Sequence, residues 1–389
     1  MLFMKAFFIV FSIGTILLCY KVGEYISRVL DLQGGLLYLF WGLHLVGALS
    51  SIIAPWVYHT YPTKNPGFWY NSLQWTGYFF MGLYSVTIFF VFLNDSSLAI
   101  FHNFVKVSSL EKAFINTFVA YSTLTFCLVS SGLGIFMARK TPEIVKVKVS
   151  VKNLPSEFEG FKILQMSDIH VGQTIKRDFI STLVKQTNSI RPDMLVLTGD
   201  LVDGTTHQLS DELMELKNLN LPYGKIMIPG NHEYYWGLEQ WIQFWKEIGF
   251  TTLVNQHTLI HKKDQQILIA GVHDYSAHRV NPNYKSSPEA SITGAPANIV
   301  KILLAHQPRS IYEAERVGFD LQLSGHTHSG QYFPYNLVVY LFQPFVKGLH
   351  RYKNSWIYVN QGTGYWGPPT RFGVPPEITL IELTKEAGV

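Results

Sequence analysis

The sequence predicts an α/β domain preceded by an all-α transmembrane region, and three observations predict it. Charged residues thin out over the first third of the 389-residue chain, with six of its 31 Lys/Arg and four of its 27 Asp/Glu falling in Met1–Ala138. That third carries uncharged apolar stretches of membrane-spanning length, and after it short apolar runs alternate with helical patterns.

A spanning helix needs about 20 apolar residues, because lipid offers nothing to satisfy its backbone groups. Gly34–Ala54, Ser72–Leu93 and Ala113–Ala138 meet that length without a charge. Trp41, Trp56 and Trp75 fall near their ends or in adjoining loops, where amphipathic rings are often placed. The shorter Ala6–Tyr20 has one Lys before it and no small-residue cleavage site after it. It therefore reads as a first, tilted or interfacial helix rather than a signal peptide. Arg139, Lys140, Lys146 and Lys148 form the densest basic cluster near any span. By the bias of basic residues towards the cytoplasm, they predict four spans, a cytoplasmic N-terminus and a cytoplasmic second domain. No ionised side chain lies inside the three long stretches, so an anchor is favoured over a channel or transporter. His44 and Asn116, their notable polar residues, are expected to make helix–helix hydrogen bonds.

The net charge of +4 is too small to imply a polyanionic partner, and no basic, aromatic-interleaved run points to nucleic acid. Cys19 and Cys127 lie in apolar segments, which excludes a disulfide framework or a thiolate metal site.

From Glu143 to Val151 apolar and polar residues alternate, the period of a half-exposed strand. Apolar strand-like runs follow at 161–166, 193–198, 225–228, 266–270, 302–305 and 321–323. Helical patterns lie between them at Phe179–Ser189, Asp211–Leu216 and Leu238–Ile248, and Asn281–Ala297 reads as a surface loop. The domains are thus 1–138 and 143–389.

A polar block follows five of these runs, where α/β sheets place binding residues. The blocks are Asp168-Ile169-His170, Gly199-Asp200-Leu201-Val202-Asp203, Gly230-Asn231-His232-Glu233, His306, and Gly325-His326-Thr327-His328. Singly each is weak, since Asp-x-His is usually a capped turn and Gly-Asp usually a turn. Together they supply carboxylates, imidazoles and an Asn amide. That mixture suits Mn, Fe or Zn rather than all-oxygen Ca or a structural Zn site, and it is enough for two ions. Two such ions can clamp a phosphoryl group and activate water.

The ordered set resembles the full motif series of the calcineurin-like metallophosphoesterase superfamily, over about Glu143–Val389. The resemblance implies a calcineurin-like sandwich of two β-sheets flanked by helices, with a dinuclear divalent metal centre at the strand ends. It implies that Asp168, His170 and His328 hold one metal, that Asp200 bridges, and that Asn231, His306 and His326 hold the other. His232 would contact phosphate and protonate the leaving alkoxide, with Asp203 orienting it. Gly325–Gln331 and Gln361–Arg371 resemble a membrane-associated bacterial branch, with Ser329-Gly330 where that branch often has Gly-Gly. Arg371 either reaches a substrate phosphate or pins its own loop. The apolar stretch Tyr332–Leu349 is either core or a lid that dips into lipid or grips acyl chains.

The expected activity is hydrolysis of a phosphoester on a membrane lipid or lipid-linked substrate. Phospholipids, or the pyrophosphate bond of UDP-2,3-diacylglucosamine, would serve, at a bacterial inner membrane. The alternatives are a membrane-tethered phosphodiesterase for soluble nucleotides and a catalytically inactive membrane scaffold. Protein phosphatase activity is disfavoured, because Gly204-Thr205 follows Asp203 where that branch has Arg-Gly.

Overall fold

Long uncharged stretches must satisfy their own backbone groups, and the first third does so as four helices. In this computed structural model, which describes residues 2–386 and their side chains from Ser12 onward, these are α1 (Leu2–Val29), α2 (Gly34–Thr60), α3 (Phe68–Phe104) and α4 (Ser109–Arg139). Among the described residues, α2, α3 and α4 are long and apolar enough to cross a membrane. All three outrun the stretches read from hydropathy, because a helix does not end where its polar flanks begin: α3 continues from Leu93 to Phe104. The part of Ala6–Tyr20 before Ser12 lies outside the described side chains.

The helices meet through small residues and a few polar bridges, the usual solution in lipid. A methyl added at Gly77 would overlap Ala54 Cβ and the Ser50 carbonyl across α2 and α3. His44 joins three helices, with Nε2 2.6 Å from the Cys19 carbonyl oxygen and Nδ1 3.1 Å from the Tyr84 hydroxyl. Asn116 Oδ1 meets His102 Nε2 at 2.9 Å. Both polar residues therefore serve helix packing, as expected of them.

By internal packing the chain forms two units, one of which takes the residues up to Met137 together with Gly367–Phe372. The other takes Ala138–Trp366 and the chain from Gly373. Within the first unit the Arg371 backbone N–H donates to the Gly134 carbonyl at 2.9 Å, and the Phe372 ring meets Phe126.

The second unit is a two-sheet sandwich. Its strands are β1 (Glu143–Val151), β2 (Lys162–Met166), β3 (Met194–Thr198), β4 (Lys225–Ile228), β5 (Thr251–Thr252) and β6 (Gln256–Lys262). They continue with β7 (Gln265–Gly271), β8 (Lys301–Leu304), β9 (Leu321–Ser324), β10 (Gly348–Tyr352), β11 (Ser355–Val359) and β12 (Glu377–Lys385). One sheet runs β1-β12-β2-β3-β4-β5 and the other β10-β11-β9-β8-β7-β6. Neighbours β2, β3 and β4 are parallel, as are β7, β8, β9 and β11. Such strands are covered on both faces, which is why they read as continuous apolar runs. Ile163, Val196 and Ile226 face inward against Ile269, Ile302 and Leu321. Leu164, Leu195 and Met227 face outward against α5 (Arg177–Ile190) and α8 (Leu238–Glu247), through Ile180, Leu183 and Trp241.

Two sequence expectations need correcting. The helical pattern at Asp211–Leu216 is split between α6 (Thr206–Leu213) and a 3₁₀ turn, Met214–Asn218. The helix starts earlier because Thr205 and Gln208 form a capping box, a Thr-x-x-Gln signal present in the sequence. The Asn281–Ala297 stretch contains a short helix, Pro288–Ser291, capped by the Ser287 hydroxyl.

Candidate metal centre

The polar blocks leave the C-terminal ends of parallel strands. Asp168 and His170 follow β2; Asp200 and Asp203 follow β3; Asn231 and His232 follow β4 and begin the short α7 (Asn231–Tyr235). His306 follows β8, and His326 and His328 follow β9. The sheets thus carry residues more than 150 positions apart to one place: His170 Nε2 lies 3.0 Å from His328 Nε2, and that atom 3.3 Å from Asp168 Oδ1. Beside this trio, His306 Nε2 is 3.1 Å from Asp200 Oδ2 and 3.2 Å from His326 Nδ1. The His326 backbone N–H donates to both oxygens of Asp168, tying the two groups together.

The backbone is bent to achieve this. Asp168, His170, Asp200, His326 and His328 all have φ between +47° and +72°. A side chain in this left-handed region costs about 1–2 kcal/mol, and such residues gather at functional sites. Gly230 is required by close approach, since a Cβ there would overlap the Asp200 carboxylate. Glu233, fully buried, accepts N–H bonds from Asp200 (3.0 Å), Leu201 (2.7 Å) and Gly230 (2.7 Å), so one carboxylate fixes two site loops.

Asp203 Oδ1 lies 3.1 Å from His170 Nδ1 and 2.5 Å from His232 Nδ1. It therefore orients two rings, where the resemblance implied one. His232 Nε2 is left facing the cluster, 3.8 Å from Asp200 Oδ2. The half-exposed rings of Tyr235 and Trp366 flank it at 5.6 and 5.8 Å between centroids. Trp366 is held by a reciprocal pair of bonds with Gln331, 2.8 and 2.9 Å.

The profile of calcineurin-like phosphoesterases matches residues 161–330. A zebrafish (Danio rerio) protein named "Transmembrane protein with metallophosphoesterase domain" is 31% identical over 313 residues, 78% of this chain and 72% of that protein. This chain belongs to the calcineurin-like phosphoesterase family. A Helicobacter pylori "Uncharacterized metallophosphoesterase" is 37% identical over 64% of this chain and 66% of its own length, so the match spans just under two thirds of that relative. An Aquifex aeolicus relative of the same name is 32% identical over 62% of this chain and 91% of its own length. The relatives thus include animals as well as bacteria. A crystal structure of a 5'-nucleotidase precursor from Thermus thermophilus superposes with a TM-score of 0.37 at 14% identity, over 58% of this chain and 54% of that one.

The phosphoesterase is a metal-dependent hydrolase, and its side chains fit cations. His306 Nδ1 lies 2.8 Å from the Thr198 carbonyl, which can only accept, so Nδ1 carries the proton. In the neutral ring Nε2 then presents a lone pair to Asp200. His170 Nδ1, held by Asp203, leaves its own Nε2 lone pair facing His328 in the same way. Converging acceptors with nothing to donate between them are what a cation requires. Two groups, Asp168/His170/His328 and Asp200/His306/His326, could each hold an ion, the ligand atoms within each group all lying within 4.8 Å of one another. Asn231 Oδ1 is buried and has no hydrogen-bond partner, a further donor oxygen awaiting one.

The charge balance agrees. Burial raises the carboxyl of Asp200, yet His306 and His232 pull it well below the usual range. Burial lowers His232, but Asp200 and Asp203 outweigh that and push it up to about 9. The buried carboxylates therefore call for positive charge, which protonated imidazoles supply when no cation does.

Arg371 is fully buried, in the segment that packs with the helical unit. Tyr332–Leu349 is neither wholly core nor wholly lid: Tyr332 and Val346 are buried at its ends, whereas Leu337 and 340–342 are exposed. Sequence reasoning passed over Glu233, Gln331, Tyr235 and Trp366 as site-builders. Glu233 had a signal, since a Glu three residues after the helix start can accept the Gly230 N–H, and Gln331 and Trp366 lie in the Gly325–Gln331 and Gln361–Arg371 stretches already singled out, whereas Tyr235 had none.

Proposed function

We propose that this chain hydrolyses a phosphoester or pyrophosphate bond of a membrane lipid or lipid-linked substrate, at a two-metal centre on the cytoplasmic side of the membrane. The observation that carries the substrate class is the pairing, in one chain, of this cluster with three membrane-length helices. Four helices are a costly tether for an enzyme that meets only soluble substrates. The basic residues Arg139, Lys140, Lys146 and Lys148 support the cytoplasmic assignment.

Asp168, His170 and His328 would hold one ion and Asn231, His306 and His326 the other, with Asp200 between them. Bound there, two divalent ions would polarise the phosphoryl oxygens and lower the pKa of the attacking water. The water oxygen would form the new P–O bond, giving up its proton to solvent, as the bond to the leaving oxygen breaks. His232, its Nδ1 held by Asp203, would give its Nε2 proton to the leaving alkoxide. Arg371 is assigned to holding its own loop, given its burial.

A second reading has specific support: Tyr235 and Trp366 beside His232 would also stack a nucleobase, as a soluble nucleotide diester would offer. The test is product release by detergent-purified protein with Mn²⁺, from phospholipid, UDP-diacylglucosamine and plain nucleotide diesters. Asp200→Ala and His232→Ala run as blanks. Lipid-selective turnover lost in both variants is expected. Turnover of soluble diesters alone would reduce the helices to a tether, and no metal-dependent turnover would favour an inactive scaffold.

A further inference from the structure

Two adjoining features of the catalytic unit have no part in the chemistry above. The first is the apolar loop after the Gly-His-Thr-His block. Leu341 is 80% exposed, Phe342 65% and Leu337 62%, the highest values among the described large apolar side chains of this unit. The second is a cleft of about 700 Å³ walled by Lys285, Arg309, Arg316, His278 and one carboxylate, Glu313, which lies 3.9 Å from Arg316 and leaves Lys285 and Arg309 in excess. Tyr275, Tyr312 and Arg309 line both this cleft and the depression formed by Tyr340, Leu341 and Phe342. Arg309 also joins them directly, donating from Nη2 to the Phe342 carbonyl at 2.7 Å.

Exposed aliphatic and aromatic side chains, tyrosines at the margin and cations behind them follow the layering of a lipid surface: acyl chains, interface, phosphate. A water-facing loop has no reason to expose Leu341 and Phe342 together, and a bilayer is always within reach of a chain with membrane-length helices. The excess of cations over the single carboxylate selects an anionic surface. We infer that this face is a lipid-docking surface: Leu337, Leu341 and Phe342 enter the acyl layer while Lys285, Arg309 and Arg316 bind the phosphates of anionic lipids. None of its lining residues is a candidate metal ligand, and the inference holds whether the hydrolysed substrate is lipid or soluble.

The test uses the full chain in nanodiscs with a polarity-sensitive fluorophore at Leu341→Cys. Cys19 and Cys127 are each 1% exposed, so labelling is directed to the introduced thiol. A control label at Asp264→Cys, in the β6–β7 turn, sits at the opposite end of the sheet from the site. In discs containing anionic lipid the Leu341 probe is expected to shift to the blue and be quenched by brominated acyl chains. The Asp264 probe should report water throughout. A cation near an anionic surface is worth about fivefold in partitioning, so Arg309→Gln and Lys285→Gln should each lower the docked-to-undocked ratio by about that factor. A Leu341 probe that reports water in anionic and zwitterionic discs alike would overturn the inference. So would a blue shift indifferent to lipid charge and to both substitutions, which would mark an apolar contact without phosphate recognition. Neither readout involves turnover, so failure here leaves the proposed hydrolysis standing.

Discussion

Asp203 shows how much one side chain can carry. Its Oδ1 fixes the ring of a candidate metal ligand, His170, and of the candidate general acid, His232. Asp203→Asn keeps the shape but puts an amide, or the wrong oxygen, against two ring N–H groups. It should lower kcat by about 10²-fold or more through His232. It should also weaken metal binding by about tenfold or more through His170, because outer partners of histidine ligands carry that much affinity. His232→Ala should lose the rate and keep the affinity, so calorimetric metal titration of both variants separates the two roles. The resemblance named Asp203 as a partner of His232. The second role was not legible, because His170 lies 33 positions away and only the fold reveals that their atoms meet.

At the scale of elements, α2 and α3 depend on close approach at Gly77. Gly77→Val would press a branched side chain into Ala54 and the Ser50 backbone, and overpacking costs about 1–3 kcal/mol. Thermal unfolding of the detergent-solubilised protein should fall accordingly, whereas Gly42→Val, where a Cβ meets nothing within 4 Å, should leave it unchanged. Elements with an inherent period were readable: the alternation of Glu143–Val151 is β1, residue for residue, and the apolar runs before the polar blocks are strands. The C-terminal strand β12 was not foreseen. Its place between β1 and β2, parallel to one and antiparallel to the other, is set by pairing over more than 200 positions, on which local pattern is silent. The site blocks were legible for the opposite reason, since each lies at the end of its own run.

For the molecule as a whole, two units with separate cores should melt separately, and among the described residues the candidate ligands all lie in one of them. Saturating Mn²⁺ at about 100 times its dissociation constant should raise the stability of the catalytic unit by about 2.7 kcal/mol. Scanning calorimetry should show its transition move while that of the helical unit stays. Chelator should reverse the shift, and Asp200→Ala should remove it. A shift of both transitions together would mean that the units unfold as one.

The segment Gly367–Phe372 gives the chain an evolutionary property that its linear order hides. A unit made of two stretches far apart in sequence cannot be gained, lost or exchanged by a single recombination break. Joining these helices to the front of another enzyme would leave them without the Gly367–Phe372 stretch, some 230 residues downstream, that packs with them here. The same holds at the bench. Cutting the chain before Ala138 strips the Arg371 N–H of the Gly134 carbonyl and Phe372 of Phe126, so a version without the helices exposes the Gly367–Phe372 stretch that they cover.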